Sequence, residues 1–148
     1  MGIRRRYLGW VAGWALLVVV LMVVVPLLVR SRLPEPIAVE WSFVGVPKGS
    51  SALRDFLFGK VVWWLVVVLV WVGLVWRGVV RGRGVALTGA MLAVFGWALF
   101  GSVVLITMAN LDAPEFSAAS ELTGQGWVVL TAVPIAWLGW WLGTRATD

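Results

Sequence analysis

The sequence predicts an all-α polytopic membrane protein with four transmembrane helices and an ordered extracytoplasmic segment between the first two. Hydrophobic residues make up 61% of the 148 residues, and charged residues only 13%. A soluble domain carries about 25% charged residues, so this chain has too few polar side chains to cover a water-facing surface. The chain also contains apolar runs of about the 20 residues needed to cross a bilayer. Four such runs cannot close a barrel, so each must satisfy its backbone hydrogen bonds as a helix.

The four helices are expected within one membrane domain that covers residues 1–148. The first apolar run covers residues 7–29 and is longer than the roughly 7–15-residue core of a signal peptide, which predicts a retained helix. Three further runs cover residues 56–76, 85–108 and 125–143. Lys60 is the only charged residue within the runs and lies at the outer end of the second.

The distribution of arginine predicts the orientation of the helices. Arginines cluster in the N-terminal tail and in the loop between helices two and three: Arg4, Arg5, Arg6, Arg77, Arg81 and Arg83. Basic residues near helix ends favour the cytoplasmic side. We therefore expect both termini in the cytoplasm and residues 30–55 outside. The preference for Arg over Lys suggests GC-rich coding and hence a bacterial plasma membrane.

The 12 tryptophans fit this arrangement. Trp63, Trp64 and Trp127 are expected at the outer membrane interface, where amphipathic rings settle among the headgroups. Trp71 and Trp97 lie deeper, where packing against another helix is expected. Small residues four positions apart also permit close helix contacts, within one chain or in a homo-oligomer. Two such pairs occur, Gly9 with Gly13 and Gly139 with Gly143.

The outer segment is the stretch whose composition the bilayer does not dictate. Its prolines restrict the backbone, and Gly45 and Gly49 permit turns that other residues cannot adopt. Residues 37–43 alternate as in a short strand. One face would carry Ile37, Val39, Trp41 and Phe43, and the other Ala38, Glu40 and Ser42. The apolar face is expected to rest on the helix ends or on headgroups. Two interpretations remain: an ordered cap over the helices, or a recognition loop for a peptide, a cell-wall component or a partner protein.

Residues 33–49 resemble a known family signature. They read Leu-Pro-Glu-Pro-Ile-Ala-Val-Glu-Trp-Ser-Phe-Val-Gly-Val-Pro-Lys-Gly. This is similar to the DUF1648 domain of SdpI-like membrane proteins, in which Leu-Pro and Ile-Pro precede a His, an aromatic residue and Gly-x-Pro-x-Gly. The matching residues are Leu33, Pro34, Glu35, Ile37, Trp41, Gly45, Pro47 and Gly49. With the flanking helices, the resemblance covers roughly residues 8–60.

Two positions depart from that signature. Glu40 stands in place of the His, and Ala38 in place of the second Pro. A metal-binding or pH-sensing role of that His would therefore be lost here. Characterised SdpI-like proteins confer immunity to a secreted toxin or sequester a transcriptional repressor at the membrane. The resemblance thus implies a sensor or immunity-type role.

Other chemistry finds little support in the sequence. The chain has no Cys and no His, which removes thiol chemistry and imidazole bases. The basic loop 77–84 lacks the spacing of a phosphate-binding loop. Its charge fits membrane topology and anionic headgroups better than nucleic acid. The outer carboxylates Asp112, Glu115 and Glu121 lack EF-hand spacing, so we expect neither a metal site nor a cofactor.

These observations predict a non-enzymatic sensor or immunity-type module embedded in the lipid bilayer. Its outer segment would recognise an extracytoplasmic peptide or a membrane protein partner. The residues expected to make or shape that contact are Glu40, Trp41, Gly45, Pro47 and Gly49, supported by Leu33, Pro34 and Ile37. The alternative is a structural accessory subunit that holds a larger membrane complex together through its helix faces.

Overall fold

The computed structural model describes residues 2–80 and 83–145 and confirms the four-helix prediction. The helices are α1 (Gly2–Leu28), α2 (Leu53–Trp76), α3 (Arg83–Ala109) and α4 (Gln125–Arg145). Each is long and apolar enough to cross a membrane. The chain is therefore a multi-pass membrane protein with four spans.

Helix α2 begins three residues before the predicted limit. Its N-cap position, Ala52, has no side chain that can accept a hydrogen bond from the first turn. The carboxylate of Glu35 supplies an acceptor from outside the helix, because the backbone N–H of Leu53 donates to its Oε1 at 3.3 Å. A cap provided by a distant residue is not visible in the local sequence.

Helix α3 packs against the three other helices and contributes more buried residues than any of them. Trp14 of α1 and Trp64 of α2 pack against α3 at Gly96. A Cβ at Gly96 would lie 2.9 Å from ring atoms of both Trp14 and Trp64. The indole of Trp14 donates to the backbone of Leu92, and that of Trp64 to the backbone of Ala15. Trp64 is completely buried, so its predicted place at the membrane interface was wrong. Its spacing from Trp63 gave no indication of which ring faces inward.

Helices α3 and α4 approach each other most closely. A Cβ at Gly139 would lie 2.6 Å from the carbonyl oxygen of Gly89 and from the Cβ of Ala93. A Cβ at Gly143 would lie 2.6 Å from the Cα of Ala86. The predicted contact through Gly139 and Gly143 therefore forms within one chain. At Gly9 and Gly13, by contrast, a Cβ would meet no atom of the described part of the chain within 4 Å.

The deeper tryptophan Trp97 packs against another helix, as expected. Its indole N–H donates to the Thr131 hydroxyl of α4 at 3.0 Å, and its ring lies 5.8 Å from that of Phe100. This bond satisfies an indole N–H inside the bilayer region, where an unpaired donor would be costly.

The segment between α1 and α2 is a β-hairpin rather than a single strand. Strand β1 (Ile37–Trp41) pairs antiparallel with β2 (Pro47–Ser51). The predicted strand continued through Phe43, but the chain turns at Ser42 instead. The Ser42 N–H donates to the Val46 carbonyl, and Gly45 adopts a φ of 78°, which favours glycine. A short 3₁₀ turn precedes the hairpin (Arg30–Arg32), and another, in the α3–α4 loop, contacts both of its strands (Phe116–Ala118).

Candidate functional site

Asn110, at the end of α3, holds strand β1 against the helices. Its Oδ1 accepts a hydrogen bond from the Ala38 N–H at 2.7 Å, and its Nδ2 donates to the Ala38 carbonyl at 2.9 Å. The same Nδ2 also donates to the carbonyl of Ile106 at 2.8 Å. Both Asn110 and Ala38 are completely buried. The side chain thus makes the same pair of hydrogen bonds to Ala38 that a residue of a neighbouring strand would make, and it fixes the position of β1.

A second connection joins the start of the outer segment to the loop after α3. The Arg32 guanidinium donates two hydrogen bonds to the Asp112 carboxylate, one of them from Nε at 2.9 Å. The backbone N–H of Asp112 also donates to the Arg32 carbonyl at 2.8 Å. The hydrogen bonds from Arg32 lower the pKa of the Asp112 carboxyl, and the guanidinium charge adds to this effect.

The third connection runs through Trp41, one of the predicted site residues. Its indole N–H donates to the Ser120 carbonyl at 3.0 Å. Ser120 in turn donates from its backbone N–H to the Ala109 carbonyl at 2.8 Å. Trp41 therefore ties the end of β1 to the segment that leads into α4. These three connections hold the hairpin in an ordered position against the loop that follows α3, which is compatible with both interpretations left open by the sequence.

The predicted alternation of β1 holds only in part. Ile37 and Ala38 are both buried, although they were expected on opposite faces. The register is regular at these two residues, but both sides of the strand are covered: Ile37 belongs to the hydrophobic core, and Asn110 binds the backbone of Ala38. The register shifts only beyond Ala38, on either side of Glu40, where a strict two-residue period fails. Phe43, expected among the apolar side chains that rest on the helices, projects into the surroundings from the hairpin turn.

The hairpin tip forms one wall of a groove. This tip groove has a volume of about 550 Å³ and lies between the turn and the segment before α4. It is lined by Trp41, Ser42, Phe43, Val44, Gly45, Glu121, Leu122 and Gln125. The Glu121 side chain lies directly over Gly45, where an added Cβ would come within 2.7 Å of it. Gly45 thus permits both the turn and the close approach of a carboxylate.

The structure brings some of the predicted site residues together and separates others. Trp41 and Gly45 line the tip groove. Glu40 is exposed and lies beside Gly49, where a Cβ would be 3.0 Å from its Oε2. Pro47 pairs with Trp41 across the hairpin. Glu40, Pro47 and Gly49 are absent from the lining of the groove.

Sequence reasoning missed residues from the second loop. Asn110, Ser120, Glu121 and Gln125 either hold the hairpin or line its groove. Asn110 carried one usable signal, because it is the only Asn in the chain and stands at the end of an apolar run. The others follow no pattern that places them near residues 37–45.

The outer carboxylates do not converge. Within residues 2–80 and 83–145, no group of three or more acidic side chains lies close enough to hold a metal ion. Asp112 is instead paired with Arg32. Comparison of the chain with protein-family models, curated proteins and solved structures gave no match. The site is therefore interpreted from its own geometry.

Proposed function

We propose that this chain is a non-enzymatic sensor or immunity-type module of the DUF1648 type, located in a bacterial plasma membrane with both termini cytoplasmic. Its hairpin tip and tip groove recognise an extracytoplasmic peptide or a membrane protein partner. The residues that resemble the DUF1648 signature support this proposal, because they extend from the residue after the first 3₁₀ turn into strand β2 and form one structural unit.

The observation that carries the proposal is the pair of apolar side chains at the tip. Phe43 is fully exposed, and Val44 is 76% exposed. Single exposed apolar residues are common on protein surfaces. Here, however, they stand on a turn that the Asn110, Arg32 and Trp41 contacts hold in place. A preorganised loop loses less conformational entropy on binding, which favours affinity.

The polar side of the tip groove complements this apolar tip. Glu121 is exposed, and its carboxylate can accept hydrogen bonds from N–H groups. The side-chain amide of Gln125 can both donate and accept. An extended peptide would place an apolar side chain against Phe43 and its backbone N–H groups toward Glu121. Trp41 shapes the groove and also holds the hairpin, so its substitution would alter both.

A test should therefore change the tip and leave the supports intact. We propose a mild-detergent purification of the tagged protein from its native membrane, followed by mass spectrometry, for the wild type and for the double variant Phe43→Ser, Val44→Ser. Both side chains are exposed, so the variant is expected to fold. Val79→Ser is the matched control, because Val79 is also exposed (69%) but lies in the loop at the opposite end of the helices.

The result expected is a protein or peptide that accompanies the wild type and the Val79 variant and is lost from the tip variant. A stoichiometric membrane partner that the tip variant retains would contradict recognition by the hairpin. It would favour the alternative, a structural accessory subunit. The α1 face at Gly9 and Gly13, where an added Cβ would meet no atom of the described residues within 4 Å, is the first face to test for that role.

A further inference from the structure

A cleft separates α1 and α2 at the hairpin end of the helices. This α1–α2 cleft has a volume of about 460 Å³, and its residues are Val23, Leu27, Arg30, Glu35, Leu53, Arg54 and Leu57. Its lower walls are apolar and come from both helices. Leu57 lies one turn below Leu53, and Val23 one turn below Leu27, so these walls extend about 5 Å into the bilayer region from the level of the helix ends.

The mouth of the cleft is positively charged. Arg30 and Arg54 both line it and are exposed, and neither forms an ion pair with any residue in the described ranges. Arg32, two residues from Arg30, is paired with Asp112 and is not part of the lining. Two guanidinium groups without acidic partners, placed above apolar walls, are complementary to an anionic group that carries a hydrocarbon chain.

Glu35 is the one acidic residue that lines the cleft. Its carboxylate offsets only part of the positive charge of Arg30 and Arg54. Its Oε1 accepts the hydrogen bond from the Leu53 N–H at the start of α2. The carboxylate is thus directed to the helix N-terminus, where a negative charge is favourable. The mouth of the cleft keeps a net positive charge from Arg30 and Arg54.

We infer that the α1–α2 cleft binds one anionic phospholipid from the leaflet on the hairpin side. The phosphate contacts Arg30 and Arg54, and one acyl chain lies against Leu27, Leu57 and Val23. This site is separate from the tip groove, whose lining shares no residue with it. The inference therefore does not depend on the proposed recognition function.

Native mass spectrometry of the delipidated protein tests the inference. The detergent-solubilised chain is titrated with phosphatidylglycerol and, in parallel, with phosphatidylcholine. One phosphatidylglycerol is expected to bind at least about tenfold more tightly than phosphatidylcholine, because the zwitterionic headgroup cancels the attraction to the arginines. Free glycerol phosphate should not displace it, since the acyl chain contributes much of the binding. Equal affinity for the two lipids, or displacement by glycerol phosphate, would overturn the inference.

Three variants locate the site. The double variant Arg30→Gln, Arg54→Gln should weaken phosphatidylglycerol binding about tenfold or more. Lys48→Gln removes an exposed basic group of strand β2 that is outside the cleft, and should leave the affinity unchanged. Leu27→Trp should fill the cleft and weaken binding while both arginines remain; Leu27 is 47% exposed, so the larger ring can be accommodated. Unchanged binding in the double variant, or an equal loss in the Lys48 variant, would contradict the assigned site.

Discussion

The side-chain amide of Asn110 and the backbone of Ala38 form a reciprocal pair of hydrogen bonds across 72 residues of sequence. The pair joins the end of α3 to strand β1 and is completely buried. Ala38 stands where the DUF1648 signature, which residues 33–49 resemble, has a proline. A proline at position 38 has no N–H and could not donate to the Asn110 Oδ1.

Replacement of Asn110 should loosen the hairpin. Asn110→Ala leaves the buried Ala38 N–H without its acceptor, which we expect to lower the free energy of unfolding by about 1–3 kcal/mol. Hydrogen exchange at the Ala38 amide should become faster. Asn110→Asp keeps an acceptor for the Ala38 N–H, but it places a buried carboxylate oxygen against the carbonyl oxygens of Ala38 and Ile106, so we expect it to destabilise the hairpin as well. Unchanged exchange at Ala38 in the Ala variant would contradict the role assigned to Asn110.

The two glycine pairs should respond differently to an added methyl group. Gly139→Ala places a Cβ within 2.6 Å of two α3 atoms, so the helices must separate. We expect a loss of about 1–3 kcal/mol from overpacking, measured by unfolding in mixed micelles. Gly9→Ala serves as the control, because its Cβ would meet none of the described atoms within 4 Å. Its stability should match or slightly exceed that of the wild type, because alanine is the better helix former. Equal losses in both variants would contradict the described α3–α4 contact.

The Arg32–Asp112 pair predicts a specific dependence on pH. The hydrogen bonds from Arg32 lower the pKa of Asp112 in the folded protein. A carboxyl group with a lowered pKa stabilises the fold above its unfolded value of about 3.9. That stabilisation is lost as the pH falls through the folded-state pKa. In an NMR titration, Arg32→Gln should raise the pKa of Asp112 toward the ordinary value. An unshifted titration would show that the pair does not form in solution.

The proposed orientation can be tested because the chain contains no Cys. We expect Ser50→Cys, on the exposed side of strand β2, to react with a membrane-impermeant maleimide in intact cells. Val79→Cys, in the exposed loop between α2 and α3, should react only after lysis. The opposite labelling pattern would reverse the proposed topology and remove the extracytoplasmic role of the hairpin.

The four helices could be predicted from the sequence because bilayer thickness and backbone hydrogen bonding leave few alternatives. The structure of the outer segment could be predicted only in part. Its order and the turn at Gly45 follow from proline and glycine. The second strand lies in Pro47–Ser51, whose residue types do not alternate between apolar and polar, although their burial in the folded chain does.

The contacts that hold the hairpin could not be predicted for a different reason. They depend on single residues far apart in sequence, such as Asn110 with Ala38 and Trp41 with Ser120. No local period connects these positions. Likewise, the sequence alone could not decide whether Gly139 contacts α3 or a second copy, since small residues permit both.

The central claim is that the hairpin tip contacts a protein or peptide outside the membrane. Photo-crosslinking in native membranes tests it most directly, with the photoreactive p-benzoyl-phenylalanine introduced in place of Phe43 and, as a control, in place of Val79. Irradiation should yield a discrete peptide or protein adduct at position 43 that is absent at position 79. The adduct should disappear when Asn110→Ala releases strand β1. Adducts with lipid alone at position 43 would contradict the claim and would leave the hairpin as a structural cap.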